Sequence, residues 1–252
     1  MEITYQLSTL NWPRPVAVDP LRAEIVDVLS HVTLDFGGGC SASKAWVMAA
    51  LIRHLNARAS LDIGVYRGRS LMPQALAHLR HAGGMAFGVD PYANDAALQK
   101  DHPELQAELA AFAERTDFEA LYQEVDRLRH AIGVANHCTL VRETSANAAR
   151  LFRERGQTFG LIHIDGNHDT APVMQDVEDY LPLLEPGGIL VMDDVSWDSV
   201  KPAYARVAAL MPRLFERTDP FNDYAVFLAV PPGTAPDPGL LRLFEDDFVR
   251  RG

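Results

Sequence analysis

The 252-residue sequence predicts an α/β fold: a doubly wound, mostly parallel seven-stranded sheet with a C-terminal antiparallel hairpin and a helical insertion after the second strand. Three observations predict it. Short apolar runs of strand length alternate with longer stretches of helical periodicity, the pattern that lays helices on both faces of a parallel sheet. Residues 92–133 show Ala-, Glu- and Leu-rich helical spacing where only a short crossover is required. The last two apolar runs, 213–217 and 224–230, lie too close together for a parallel connection and read as a hairpin.

In chain order, residues 1–58 read as a helical cap or lid region. Gly37, Gly38 and Gly39 form a flexible stretch that, with Lys44 and Trp46, is placed to close over a site, and Ser41 and Ser43 can cap an apolar-periodic helix over 44–55. The main domain, 59–230, supplies strands at 60–64, 85–90, 138–142, 160–165 and 188–193, each ending in a turn or cap signal. Residues 231–252 are a Pro/Gly-rich linker and an amphipathic tail whose Phe244 and Phe248 stand four apart on one face.

Composition narrows the function. With 34 Asp and Glu against 23 Lys and Arg, the formal charge of −11 has the wrong sign for nucleic acid or an anionic membrane. A small-molecule partner is expected. The two cysteines, Cys40 and Cys138, have no metal-ligand spacing around them and make no disulfide framework. The first residues do not read as a secretion signal, and the longest apolar run, 45–52, is too short to span a bilayer, so a cytoplasmic location is expected. The N-terminal extension and the tail leave a homodimer open.

The first strand runs into Asp62-Ile63-Gly64-Val65-Tyr66-Arg67-Gly68-Arg69-Ser70, a strand-to-helix turn whose glycines let backbone amides approach a ligand. Asp90 ends the second strand, where a carboxylate accepts from ribose hydroxyls. The G-x-x-x-G spacing lacks the third glycine that packs a dinucleotide pyrophosphate, so a nucleoside without phosphates fits better than NAD or FAD. Together these segments resemble the Rossmann-like class I S-adenosylmethionine (SAM)-dependent methyltransferases over roughly residues 60–230. The resemblance implies that Gly64, Tyr66, Gly68 and Ser70 hold the methionine part of the cofactor, Asp90 the ribose, and Thr144 with Ser145 the adenine. Asp62, which opens the motif, and Asp165 join that cofactor set.

Strands four and five end in Asp165-Gly166-Asn167-His168 and in Asp193-Asp194. At the carboxyl ends of a parallel sheet these three carboxylates converge. Two unit charges about 4 Å apart repel by roughly 4 kcal/mol at an effective dielectric near 20, so protons or a cation must neutralise the cluster, and an all-oxygen set favours Mg²⁺. Taken singly, Asp193 or Asp194 is as readily a cap for the segment near Trp197. Taken jointly, the pattern resembles the metal-dependent catechol-type and caffeoyl-coenzyme-A-type O-methyltransferases and the macrocin- and novobiocin-type sugar O-methyltransferases. That implies a divalent cation on Asp165, Asp193 and Asp194, and a general base at His168, where catechol-type enzymes carry lysine. Asn167 stands where the sugar-modifying branch carries its Asp base, and an amide cannot take that role. His163 reads as a satisfied core histidine or a partner of the metal ligands, and Tyr92 and Trp197 as aromatic wall or plain packing.

The expected activity is metal-dependent methylation of a hydroxyl on a sugar, phenol or other secondary metabolite. Two alternatives stand beside it. A cofactor-binding accessory protein of the cephalosporin hydroxylase-associated type would form no S-adenosylhomocysteine (SAH). A metal-dependent hydrolase would use the carboxylates alone and leave the glycine turn and Asp90 without a purpose.

Overall fold

The structure is a computed structural model that describes residues 18–34, 39–81, 83–219, 222–231 and 233–251. Gly37 and Gly38 of the expected lid, and residues 1–17 of the expected cap region, lie outside them. Two helices come first, α1 (Pro20–Ser30) and α2 (Ala42–Leu55). Then β1 (Ala59–Ile63), α3 (Leu71–Arg80) and β2 (Met85–Val89) form the first crossover unit. The insertion follows as a 3₁₀ turn at Asn94–Ala97, α4 (Gln106–Arg115) and α5 (Phe118–Ala131). It leads to β3 (Cys138–Val141), α6 (Ser145–Glu154), β4 (Phe159–Ile164), α7 (Thr170–Tyr180) and β5 (Leu184–Asp193). The chain closes with α8 (Lys201–Ala208), β6 (Arg213–Asp219), β7 (Asn222–Leu228), α9 (Pro238–Leu243) and α10 (Asp247–Arg251).

The seven strands run in the order β3-β2-β1-β4-β5-β7-β6, with β7 antiparallel to both neighbours, as the hairpin reading required. Strand order reverses between β1 and β4, and that switch point is where an open α/β sheet leaves a crevice for ligand. The register pairs Asp62 with His163 and His163 with Val191. Because side chains alternate with period two, Asp62, His163 and Asp193 project from the same face of the sheet. The opposite face carries Ile162, Ile164, Leu190 and Met192, packed with α7 and α8 into a fully apolar layer.

The face bearing the polar residues is covered by α2, whose residues 43–52 are all buried. Ser41 caps that helix, accepting from Lys44 N at 3.1 Å and donating to Asn222 Oδ1 on β7 at 2.5 Å. Trp46 is buried in the α1–α2 layer between the guanidinium groups of Arg22 and Arg53, 5.7 and 5.2 Å from its ring, so it packs the scaffold instead of closing a lid.

Two elements depart from expectation. β5 starts at Leu184, four residues before the expected start at 188, because Pro186, Gly187 and Gly188 hide the strand signal where the β4–β5 register shifts. The tail is two short helices instead of one, broken at Asp246, whose carboxylate accepts from Phe248 N at 2.8 Å and pairs with Arg22 at 3.1 Å. Phe244 stacks on Phe215 at 4.8 Å while Phe248 lies against Arg22.

The insertion roofs the carboxyl end of the sheet. Asp169, buried at the start of α7, accepts from Lys100 N and Asp101 N at 2.8 Å each, and Thr170 N donates back to Asp101 Oδ2 at 2.8 Å. Asn167 adds a bond to Leu98 O at 3.1 Å. Asp169→Ala is expected to cost about 1–2 kcal/mol, as partly solvated N–H groups lose their acceptor, and to speed limited proteolysis within residues 94–115.

Candidate active site

A cavity of about 410 Å³ opens where β1, β2 and β4 end, within the roughly 300–1,000 Å³ typical of small-molecule sites. Its floor is the turn after β1. Gly64 has φ +88°, and a Cβ there would lie 1.9 Å from Asp165 O, so the backbones of the β1 turn and the β4 tip touch at the switch point. Tyr66 follows with φ +46°, a conformation that costs a non-glycine residue free energy and is met at functional turns. It is held there because Tyr66 N donates to Asp90 Oδ2 at 2.9 Å and Tyr92 Oη donates to Tyr66 O at 3.1 Å.

Asp90 lines the cavity and also accepts from Tyr92 N at 2.8 Å. Burial pushes its carboxyl above the ordinary value of 3.8, against the opposing pull of those backbone donors. Beyond β3, Thr144 accepts from Asn147 N at 3.4 Å as the cap of α6, and Ser145 donates to Asp176; Thr144, Ser145 and Asp176 all line the cavity. Asp176 was not singled out from sequence, because it is one polar position on the helical pattern of α7. Burial pushes its carboxyl up to about 6.

The cavity is not lined by every residue expected to hold cofactor. Asp62 is fully buried beneath it, accepting from Ser70 Oγ at 2.6 Å and from His163 Nδ1 at 2.5 Å, so it fixes the turn from below. Gly68, at φ +80°, packs against Met72 and Val125 and shapes the turn without lining the cavity. Tyr92 is buried and committed to Tyr66, which removes it from the expected aromatic wall. Cys40 does line the cavity, with its thiol pushed up to about 12 by burial, and so offers no nucleophile at neutral pH.

The acidic residues do converge, and a lysine supplies the counter-charge. Lys44 reaches from α2 into the cluster, its buried ammonium in contact with Asp193 Oδ2 and 3.7 Å from Asp165 Oδ2. Burial alone would lower its pKa, but the two carboxylates hold it well above 10.5. His163 Nε2 donates to the other oxygen of Asp193 at 3.1 Å while Nδ1 donates to Asp62, and these carboxylates overcome burial to raise its pKa to about 10. Against its desolvation, Lys44 and His163 draw Asp193 well below the usual carboxylate range.

Asp194, at φ +53°, turns away toward His168, whose Nε2 lies 2.7 Å from Asp194 Oδ2 and 3.5 Å from Asp165 Oδ1. Gln99 Nε2 donates to His168 Nδ1 at 2.8 Å, and the His168 ring lies 5.2 Å from that of Trp197. Burial works against the charged ring, yet Asp165 and Asp194 raise its pKa to about 10. That raised pKa works against the neutral ring the expected general base needs, while the Gln99 amide donating to Nδ1 requires an unprotonated nitrogen there. Asp165 is pushed up to about 6 by burial and then by Asp193, with Lys44 and His168 opposing. Capping of the segment before Trp197 falls to Asp223, which accepts from Ser196 N at 3.1 Å, and not to Asp193 or Asp194.

These contacts test the expected divalent cation. Two groups, His163 with Asp165 and Asp193, and Asp165 with His168 and Asp194, each bring ligand atoms within 4.8 Å of one another. In the first group both ring nitrogens of His163 face carboxylates, Nδ1 that of Asp62 and Nε2 that of Asp193, which leaves this imidazole no lone pair for a metal. Both oxygens of Asp193 are taken by Lys44 and His163. The expected set of Asp165, Asp193 and Asp194 does not fit a cation while Lys44 stands among them.

A methyltransferase-domain family matches residues 61–195, more than half of the chain and the whole stretch from β1 through the acidic tip of β5. The chain belongs to this methyltransferase family. A search of curated proteins found no match. Among solved structures, the methyltransferase resembles the Bacillus cereus O-methyltransferase in complex with SAH, with TM-score 0.55 and 14% identity, covering 86% of this chain and 93% of that one. It also resembles the O-methyltransferase from Streptomyces achromogenes involved in tomaymycin synthesis, in complex with SAM, with TM-score 0.55, 14% identity and 84% and 90% coverage. The calicheamicin methyltransferase gives TM-score 0.57, 17% identity and 85% and 92% coverage. What the methyltransferase shares with these proteins is the fold. No helix among its described residues is long and apolar enough to cross a membrane.

Proposed function

We propose that this methyltransferase transfers the methyl group of SAM to a hydroxyl of a small-molecule acceptor. The observation that carries the proposal is one continuous cavity at the switch point, lined by the Gly64 turn, Asp90 and the Ser145–Asp176 pair. Those groups suit the three parts of SAM in turn: backbone amides for the amino-acid end, a carboxylate for ribose, and a donor–acceptor pair for the adenine edge. The SAH and SAM complexes of two structural neighbours support the same ligand.

In the reaction the hydroxyl oxygen attacks the sulfonium methyl in line, the C–S bond breaks, SAH leaves, and the hydroxyl proton must go to a base. Asp165 is the proposed acceptor of that proton, since it lines the cavity and its pKa of about 6 suits a base near neutrality. His168, on the cavity wall beside Asp165 and Asp194, is placed to orient the hydroxyl. Holding donor and acceptor in line can supply on the order of 7–11 kcal/mol, the largest contribution asked of the site. No step is assigned to a divalent cation, since Lys44 and His163 occupy both oxygens of Asp193.

The charge of −11 keeps nucleic acid and anionic membrane outside the proposal. A homodimer would need a face other than the tail, because Leu240, Phe244 and Val249 are buried in the chain's own core.

SAH at 100 times its Kd adds about 2.7 kcal/mol, and at this size each kcal/mol moves the thermal midpoint by roughly 2–4 °C, so a rise of about 5–10 °C is expected. No shift would overturn the cofactor assignment, and SAH binding without SAH formation from SAM across hydroxylated acceptors would favour the accessory-protein alternative. With an acceptor in hand, kcat/KM is expected to fall as pH drops below about 6, following Asp165. An inflection near 7 that His168→Gln removes would return the base role to His168.

A further inference from the structure

We propose that Lys44 is a built-in cation: its ammonium stands where carboxylates gathered at this sheet end would otherwise need a divalent metal, so the working enzyme carries none. The inference rests on the methyltransferase reading for the purpose of the cluster, and on the following contacts for its content. Lys44 occupies the third position of α2, after the Ser41 cap. A cation there opposes the positive end of the helix dipole, and a lysine inside a run of ten buried residues is costly unless it is paired. Both costs are met by Asp193 and Asp165, one in direct contact and the other at 3.7 Å. The helix is fixed in that position by Ser41 on Asn222 of β7, so the ammonium is presented by a rigid element and not by a loop.

The rest of the cluster is built to match. His163 takes the second oxygen of Asp193, and His168 takes Asp194 and the other side of Asp165. The carboxylates of Asp62, Asp165, Asp193 and Asp194 thus lie against the Lys44 ammonium and the rings of His163 and His168. In this role Lys44 is a positioning residue. It does not line the cavity, but it sets the orientation and charge of Asp165, which does.

The test is Mn²⁺ titration of EDTA-stripped protein followed by electron paramagnetic resonance, run beside SAH titration in Mg²⁺ and in EDTA. Wild type is expected to hold no stoichiometric Mn²⁺, and its SAH affinity to agree within twofold between Mg²⁺ and EDTA. Lys44→Met, which keeps the unbranched apolar stem and frees Asp193 Oδ2, is expected to bind one Mn²⁺ at least tenfold more tightly than wild type. It should also gain a Mg²⁺-dependent rise in thermal midpoint that wild type lacks. One equivalent of Mn²⁺ bound by wild type at micromolar Kd and lost in Asp193→Asn would overturn the proposal. Should Lys44→Met fail to fold, the wild-type Mn²⁺ titration decides alone. Failure of the cofactor reading shows separately, as the absence of an SAH response.

Discussion

Gly64→Ala is expected to abolish SAH binding and to destabilise the protein by more than about 4 kcal/mol, in the range reserved for a few named mechanisms. Two of them act at once. The backbone sits at φ +88°, where an alanine pays roughly 1–2 kcal/mol for the left-handed region, and the new Cβ would lie 1.9 Å from Asp165 O. Neither atom can yield cheaply, because Gly64 N is bonded to Val89 O and Asp165 N to Ile63 O, each at 2.9 Å. Forcing them apart separates β1 from β4 where the cavity floor is formed. Gly133→Ala is the control: φ is similar at +77°, but nothing lies within 4 Å of the added Cβ. That variant should lose about 1 kcal/mol and keep its SAH affinity, as measured by urea unfolding and thermal shift. Equal losses in the two variants would mean that close approach at Gly64 is not what shapes the site.

The contrast shows what could be read from sequence and what could not. The turn after β1 was legible because two signals agreed: Gly64 and Gly68, which alone also suit a plain tight turn, and Asp90 at the end of the neighbouring strand. The acidic tips of β4 and β5 were legible because strand ends at a switch point must meet. The need for a counter-charge followed from Coulomb repulsion, but its identity did not. Lys44 lies 121 residues before Asp165 and 149 before Asp193, and only the packing of α2 across the sheet brings it into contact. In the sequence it is a lone lysine at the start of an apolar helix, indistinguishable from a solvated one. The surroundings of His168 were hidden likewise, since its contact with Asp194 depends on which way that residue turns at φ +53°. The roof over the cavity was legible as an insertion, while its fastening through Asp169 was not, because a cap for a distant loop looks like a cap for its own helix.

Asp193→Ala is expected to cost about 3–5 kcal/mol at pH 6.5, the penalty for leaving buried charge without its partner. His163 would keep Asp62 but lose its 3.1 Å acceptor, and Lys44 would keep only Asp165 at 3.7 Å. The cost should shrink as the medium becomes alkaline, and the sign follows from proton linkage. His163 is faced by Asp62, Asp193 and Asp165, which raise its pKa from 6.5 to about 10; Asp165 and Asp194 do the same for His168. Between those values the native state holds a proton that the unfolded chain has released. Stability therefore falls with rising pH, by up to about 1.4 kcal/mol per unit for each group. The contribution is complete below about 6.5 and lost as pH passes 10. Asp193 acts in the other direction and at the other end, since its depressed pKa gives stability that is present above 3.8 and lost in stronger acid. Urea midpoints of wild type should thus fall steadily from pH 6.5 to 9.5, and the gap to Asp193→Ala should narrow over the same interval. A flat wild-type profile with a constant gap would mean that the two imidazoles are neutral and that Lys44 alone brings positive charge to the cluster.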